Sequence, residues 1–200
     1  MKKRICIYID GANFVYGIKT LNKRYSDFMF DFEKLAKEIC GENQLVNLNY
    51  YNASLKRKLN INKWERQQKL FNRLRKLKKF NVILCKRQKR LNKLDEEFYS
   101  IKGDDIYLAV DMILDATKDK YDKGILISGD GDFAPLIRAI KTLKKDVEIY
   151  TFKEVCSGAL IKKNKFKFID KKLVNKCFWR GKRDDKKGKK PGVIKLKYSN

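Results

Sequence analysis

The stretch Ile125-Leu126-Ile127-Ser128-Gly129-Asp130-Gly131-Asp132-Phe133 decides how this chain is read. Ile125, Leu126 and Ile127 form an unbroken apolar run, the pattern of a strand covered on both faces. At Ser128 the run gives way to a small acidic turn. Gly129 and Gly131 are expected to let the backbone turn tightly and to leave room for a close approach. Asp130 and Asp132 set two carboxylates at the carboxyl end of that strand. A helix pattern follows: Phe133, Leu136, Ile137, Ile140 and Leu143 recur at helical spacing, with Pro135 in the first turn, where its missing N–H costs little. In open α/β sheets, ligands sit at the carboxyl ends of strands.

The chain opens with the same grammar. Ile5-Cys6-Ile7-Tyr8-Ile9 is an apolar strand, and Asp10-Gly11-Ala12-Asn13 follows it. A third acidic station is Lys102-Gly103-Asp104-Asp105, at the head of a helix pattern that continues to Thr117 with Asp111 inside it. Carboxylates gathered at one place repel each other, so such a site usually holds a cation. All-oxygen ligands suit Mg²⁺ or Mn²⁺. Asp105 and Asp111 do not share a helix face, whereas Asp104 and Asp111 nearly do, so spacing leaves open which of the three reaches the site.

Between these stations, strand and helix patterns alternate. Asp31 is placed to cap a helix ending before Gly41, and a strand pattern runs from Leu45 to Ala53. A long basic amphipathic helix pattern spans Ile61 to Lys79, with Trp64, Leu70, Phe71, Leu74 and Leu77 on its core face. Asn81 to Cys85 reads as a strand and residues 86–103 as a polar connection. A strand at Val147–Phe152, a short helix near 157–162 and an apolar piece at Phe166–Ile169 complete the order. This alternation predicts an α/β fold with a mainly parallel central sheet and helices on both faces. Residues 1–170 are expected to form the domain and residues 171–200 a basic C-terminal tail.

Composition narrows the function. The 200 residues carry 49 Lys or Arg against 24 Asp or Glu, a net charge of +25, which favours a polyanionic partner. Residues 54–93 hold 16 basic residues and a single acid, Glu65, a density suited to phosphate. There is no histidine, which excludes histidine-based nucleases, HExxH zinc proteases and Ser-His-Asp hydrolysis. The five cysteines are scattered with no CxxC pair, as in reduced core residues of a cytoplasmic protein. No stretch approaches the roughly 20 apolar residues of a membrane-spanning helix, and Asp10 cuts the first apolar run too short for a signal peptide. A calcium loop starting at Asp130 would need Glu where Lys141 stands.

The motifs Asp10-Gly-Ala-Asn13, Lys102-Gly-x-Asp105 with Leu108-Ala-x-Asp111, and Ser128-Gly-Asp-Gly-Asp132-Phe together resemble the NYN domain family, of the LabA-like or DUF88 kind, within the PIN-like nucleases. Phe168-Ile169-Asp170 is similar to the closing motif of LabA-like domains. The resemblance implies a three-layer PIN-like, Rossmann-like fold and a metal-dependent endonuclease acting on RNA. It also implies that Asp10, Asp105, Asp130 and Asp132 hold Mg²⁺ or Mn²⁺, with Asp111 either ligating or supporting, and that Asn13 and Ser128 serve as polar site positions. Asp104 departs from the family, which usually has an apolar residue there.

Lys102, Lys86, Arg87, Lys89 and Arg90, together with Arg180, Lys182 and Arg183 of the tail, are the candidate phosphate contacts. Phe178-Trp179-Arg180 is either a base-stacking patch or an anchor packed on the domain. RNA, single-stranded or structured, is the expected partner, no membrane is expected, and self-association as a homo-oligomer is left open. The alternative is a non-catalytic RNA-binding or regulatory module. The clustered acids argue against it, because a pure phosphate binder has no reason to gather carboxylates.

Overall fold

The structure is a computed structural model that describes residues 1–91, 97–162 and 164–178, with the backbone alone for residues 90, 91 and 97–101. The strands are β1 (Arg4–Asp10), β2 (Gln44–Ala53), β3 (Phe80–Leu91), β4 (Glu97–Lys102), β5 (Lys123–Ile127), β6 (Asp146–Thr151) and β7 (Phe166–Phe168). They form one sheet in the order β4-β3-β2-β1-β5-β6-β7. Six of them run parallel; β4 alone pairs antiparallel, with β3.

The helices are α1 (Gly11–Leu21), α2 (Phe32–Cys40), α3 (Ile61–Arg75), α4 (Asp104–Thr117), α5 (Ala134–Thr142), α6 (Gly158–Ile161) and α7 (Lys171–Lys176). Two cores explain how they are layered. Ile5, Ile7 and Ile9 of β1 pack with residues of α1, α2, α3 and α7 on one face. Cys6 and Tyr8, on the alternate face of the same strand, pack with residues of α4, α5 and α6. The expected α/β sheet with helices on both faces is thus the observed one.

Chain direction matters more than layer count here. β1 passes to β2 on one side, while β5 and β6 extend the sheet on the other. The strand order therefore reverses between β1 and β5, where Ile9 stands beside Ile127. This is the switch point at which open α/β sheets bind ligands.

The long basic helix is shorter than expected, ending at Arg75 rather than Lys79, and two further segments depart from the sequence-based expectation. Residues 86–103 are not a connection. β3 pairs with β2 through Cys85, then continues past the end of β2 and pairs with β4 from Lys86↔Lys102 to Leu91↔Glu97. The result is a basic hairpin extending from the carboxyl edge of the sheet. The start of the expected tail is also folded: α7 buries Val174, and Cys177 follows it into the core. The Phe178 ring lies 4.6 Å from Tyr25 and 5.8 Å from Phe30, which supports the anchor reading of that residue. The rest of the tail, including Arg180, Lys182 and Arg183, lies outside the described residues. Among the described residues, no helix is long and apolar enough to cross a membrane.

Candidate active site

β1 ends at Asp10, and the backbone turns directly into α1. Asp10 Oδ1 accepts the Asn13 N–H at 3.0 Å, capping that helix. Its Oδ2 accepts the Ser128 hydroxyl at 3.0 Å, from the end of the neighbouring strand. Ser128 Oγ in turn accepts the Asp130 N–H at 3.1 Å, and Asn13 Oδ1 accepts the Gly129 N–H at 3.0 Å. Asp10, Asn13 and Ser128 therefore tie the two strand ends together. Asp130 Oδ1 accepts the Asp132 N–H at 3.0 Å and so also caps the turn that follows it.

Gly129 is required by proximity rather than by turning, since its φ is not among the positive ones. A Cβ there would sit 2.1 Å from the Val155 carbonyl oxygen. Gly103 has the opposite reason: its φ of 82° puts it in the left-handed region that starts α4 and brings Asp104 and Asp105 inward.

These elements enclose a cleft of about 390 Å³ lined by Asp10, Ala12, Asn13, Tyr16, Asp104, Asp105 and Asp130. Three separate elements thus deliver four carboxylates to one place. Asp10 is 5% exposed, and burial pushes its carboxyl up to about 6 against the pull of its two hydrogen bonds, with the charges of Asp104 and Asp130 adding to the rise. Asp105 is also pushed up to about 6, by partial burial of its carboxyl and then by the charges of Asp104, Asp10, Asp130 and Asp132. Among the described residues, no three acids stand close enough to enclose an ion by themselves. An open set of oxygens still suits Mg²⁺, which keeps several waters and takes one or two carboxylates together with substrate phosphate.

The NYN domain family model matches residues 4–173, nearly the whole span from β1 to α7. This chain belongs to the NYN domain family. NYN domains fall within the PIN-like superfamily and are nuclease-like as a group. The chain is also similar to a crystal structure of a protein of unknown function from Vibrio parahaemolyticus, with TM-score 0.62 and 25% identity over 85% of this chain and 94% of that one. A search of the curated proteins finds no match.

Within this NYN domain, the expected site residues divide. Asp10, Asn13, Asp105 and Asp130 line the cleft, Ser128 braces Asp10 from behind, and Asp132 is exposed just beyond the lining. Asp104, left open by spacing, lines it as well. Asp111 does not. It accepts the Tyr51 hydroxyl at 2.9 Å and lines a separate polar cleft with Asn47, Asn49, Asn81, Asp115 and Lys120. Seven residues along α4 amount to about 10 Å of axial rise, which takes Asp111 away from the carboxyl edge. The sequence reading missed Tyr16. It lies three residues beyond Asn13 on the same helix face, and that spacing is the signal that could have found it.

The candidate basic residues lie on the hairpin. Lys86, Lys89 and Lys102 are exposed, and Lys86 stands directly across from Lys102. Like charges placed opposite each other destabilise a hairpin unless an anion lies between or beside them. Arg87 is half-buried, and among the described residues its Nε is a buried atom with no hydrogen-bond partner. Only the backbone of Arg90 is described. On α3, Phe71 is buried in the core, as expected, whereas Trp64 is half-buried outside both cores, with the Arg57 guanidinium 5.6 Å from its ring centre.

Proposed function

We propose that this NYN domain is a metal-dependent ribonuclease, acting as an endonuclease on RNA. One observation carries the reading: Asp10, Asp104, Asp105 and Asp130 converge, from β1, α4 and the β5 turn, on one cleft at the switch point of the sheet. Two of these carboxyls are pushed toward protonation by burial and by their neighbours, so the cleft favours a cation. The donor set is all oxygen, which fits Mg²⁺ or Mn²⁺. Asp10, Asp130 and one or both of Asp104 and Asp105 would hold the ion, with Asp132 at the rim. When bound, the ion supplies Lewis-acid chemistry toward a phosphodiester.

The chain's own residues do the rest. Asn13 has its Oδ1 engaged by the Gly129 N–H, which leaves its Nδ2 to donate to a phosphate or a water in the cleft. Tyr16 is 66% exposed at the cleft wall and can stack a base. Ser128 holds Asp10 in position. The hairpin, with Lys86, Arg87, Lys89 and Lys102, offers phosphate contacts on the β3 side of the cleft.

The non-catalytic reading has one observation in its favour, since Asp10 and Asp130 already serve as helix and turn caps. One experiment separates the two. Purified protein should cleave single-stranded RNA with Mg²⁺ or Mn²⁺ and not in EDTA. Asp130→Asn should lose cleavage while keeping RNA affinity. RNA binding without any metal-dependent cleavage would leave the binding module standing and remove the nuclease.

A further inference from the structure

A buried chain of polar groups runs behind the cleft without lining it. Tyr50 of β2 is buried on the sheet face that carries α1, α2, α3 and α7, with its ring 5.0 Å from Phe32 and 6.5 Å from Phe71. From that aromatic setting its hydroxyl donates to Asp27 Oδ2 at 2.7 Å and accepts from Asn52 Nδ2 at 3.0 Å. Asn52 Oδ1 accepts the Ala53 N–H at 2.7 Å, so the carboxamide is held at both ends. Asp27 is 3% exposed and Asn52 6%. Burying a carboxyl in an apolar layer is unfavourable, and Phe at position 50 with an apolar residue at 27 would fill the same space without it.

The chain of hydrogen bonds ends against the site. β1 and β2 are parallel neighbours, with Ile9 beside Tyr50 and Asp10 beside Tyr51. Asn52 comes one residue later, next to the step from β1 into α1. A Cβ added at Gly11 would stand 2.7 Å from Asn52 Nδ2, 3.0 Å from Tyr50 Cζ and 2.5 Å from the Tyr51 carbonyl oxygen. The backbone that follows Asp10 therefore rests on the Tyr50–Asn52 hydrogen bond. Burial pushes the Tyr50 hydroxyl well up, the charge of Asp27 adds to this, and the charge of Asp10 contributes across the same contact.

We infer that Asp27, Tyr50 and Asn52 are positioning residues for the cleft, a role that rests on the metal-site reading: they fix the Asp10–Gly11 step and, through it, the aim of the Asp10 carboxylate toward a divalent ion. The order of the hydrogen bonds gives the chain its direction. A tyrosine hydroxyl has one proton. With that proton given to Asp27, the oxygen is free to accept from Asn52, whose amide is then turned with Nδ2 toward Tyr50 and Oδ1 toward Ala53. Without the phenol oxygen, the buried Asn52 Nδ2 loses its acceptor and the carboxamide has to turn. Gly11 stands too close for it to do so without shifting the start of α1. Groups behind a metal ligand hold its orientation, and changing them weakens metal affinity by about 10–100-fold.

Calorimetric titration of the full chain with Mn²⁺, free of RNA, tests this independently of cleavage. Tyr50→Phe keeps the ring packing and should weaken Mn²⁺ binding about tenfold, the lower end of that range because it acts through Asn52 and Gly11. Asn52→Ala, a second variant, should weaken it similarly. Asp27→Asn keeps an oxygen for the Tyr50 hydroxyl, and Ser26 Oγ, 3.5 Å from Asp27 Oδ1, can accept from its amide, so affinity should stay close to wild type. Val174→Ala, in α7 of the same core and outside this chain of hydrogen bonds, should lower the Tm and leave Mn²⁺ affinity unchanged. Circular dichroism verifies that each variant folds. A wild type that binds no Mn²⁺ removes the metal-site reading and the positioning role with it. A wild type that binds, with Tyr50→Phe and Asn52→Ala binding equally well, overturns the positioning role alone. Val174→Ala weakening Mn²⁺ as much as Tyr50→Phe overturns it too, since affinity would then follow stability.

Discussion

Replacing Asp10 by Asn should stabilise the ion-free protein above neutral pH and have no such effect in acid. In the fold, the Asp10 carboxyl is pushed from 3.8 to about 6, chiefly by burial. Between those values the folded chain keeps a proton that the unfolded chain has released. Stability therefore falls as pH rises from about 4 to about 6 and stays lowered above that. A shift of about two units corresponds to ~3 kcal/mol at the plateau. Asn carries no charge in either state. Its Oδ1 can keep the Asn13 N–H, and its Nδ2 can donate to Ser128 Oγ at the cost of the present Ser128 hydroxyl bond, about 1 kcal/mol.

The expected net gain is ~2 kcal/mol at about pH 8, a rise in Tm of roughly 4–8 °C for a chain of this size. At about pH 4 the gain should vanish or reverse, because both chains are then neutral at this position. Asp105, raised partly by the charge of Asp10, should titrate lower in the variant, which adds to the difference in the same direction. Thermal unfolding in EDTA across this pH range measures it. A Tm difference that stays flat with pH would refute the argument, since it would mean that Asp10 is not held against its charge. Adding Mg²⁺ at about pH 8 should raise the wild-type Tm more than that of the variant.

Asp111→Asn should leave RNA cleavage near the wild-type rate, because its partner is Tyr51 in a separate cleft; a complete loss of initial rate would return Asp111 to the site. Gly129→Ala should cost at least about 2 kcal/mol by urea midpoint, because its Cβ would meet the Val155 oxygen at 2.1 Å and Thr151 Oγ1 at 2.6 Å. An unchanged midpoint would contradict that crowding. Removing residues 179–200 takes away nine Lys or Arg against two Asp. RNA affinity should then fall less steeply with salt, and an unchanged slope would assign the phosphate contacts to the folded surface alone.

What could be read from the sequence was whatever burial writes into it. β1 and β5 lie in the middle of the sheet, so both of their faces are apolar, and the polar residue that ends each run marks the carboxyl edge. The β3–β4 hairpin was hidden for the converse reason. Beyond Cys85, β3 runs Lys86-Arg87-Gln88-Lys89-Arg90, with exposed residues on both faces and no alternation to detect. Spacing also carries angle without height. Asp104 and Asp111 lie at nearly the same angle on α4, yet only one is at the edge of the sheet. Net charge was legible as a total and hidden as a distribution. In the proposed nuclease, a polyanion drawn in by +25 would arrive at a cleft lined by four carboxylates. That local repulsion would weaken a module built only to bind RNA, and it turns to advantage once a cation sits between carboxylate and phosphate. In the proposed nuclease, RNA affinity at the cleft would therefore depend on divalent ions, while contacts made by the basic hairpin would not.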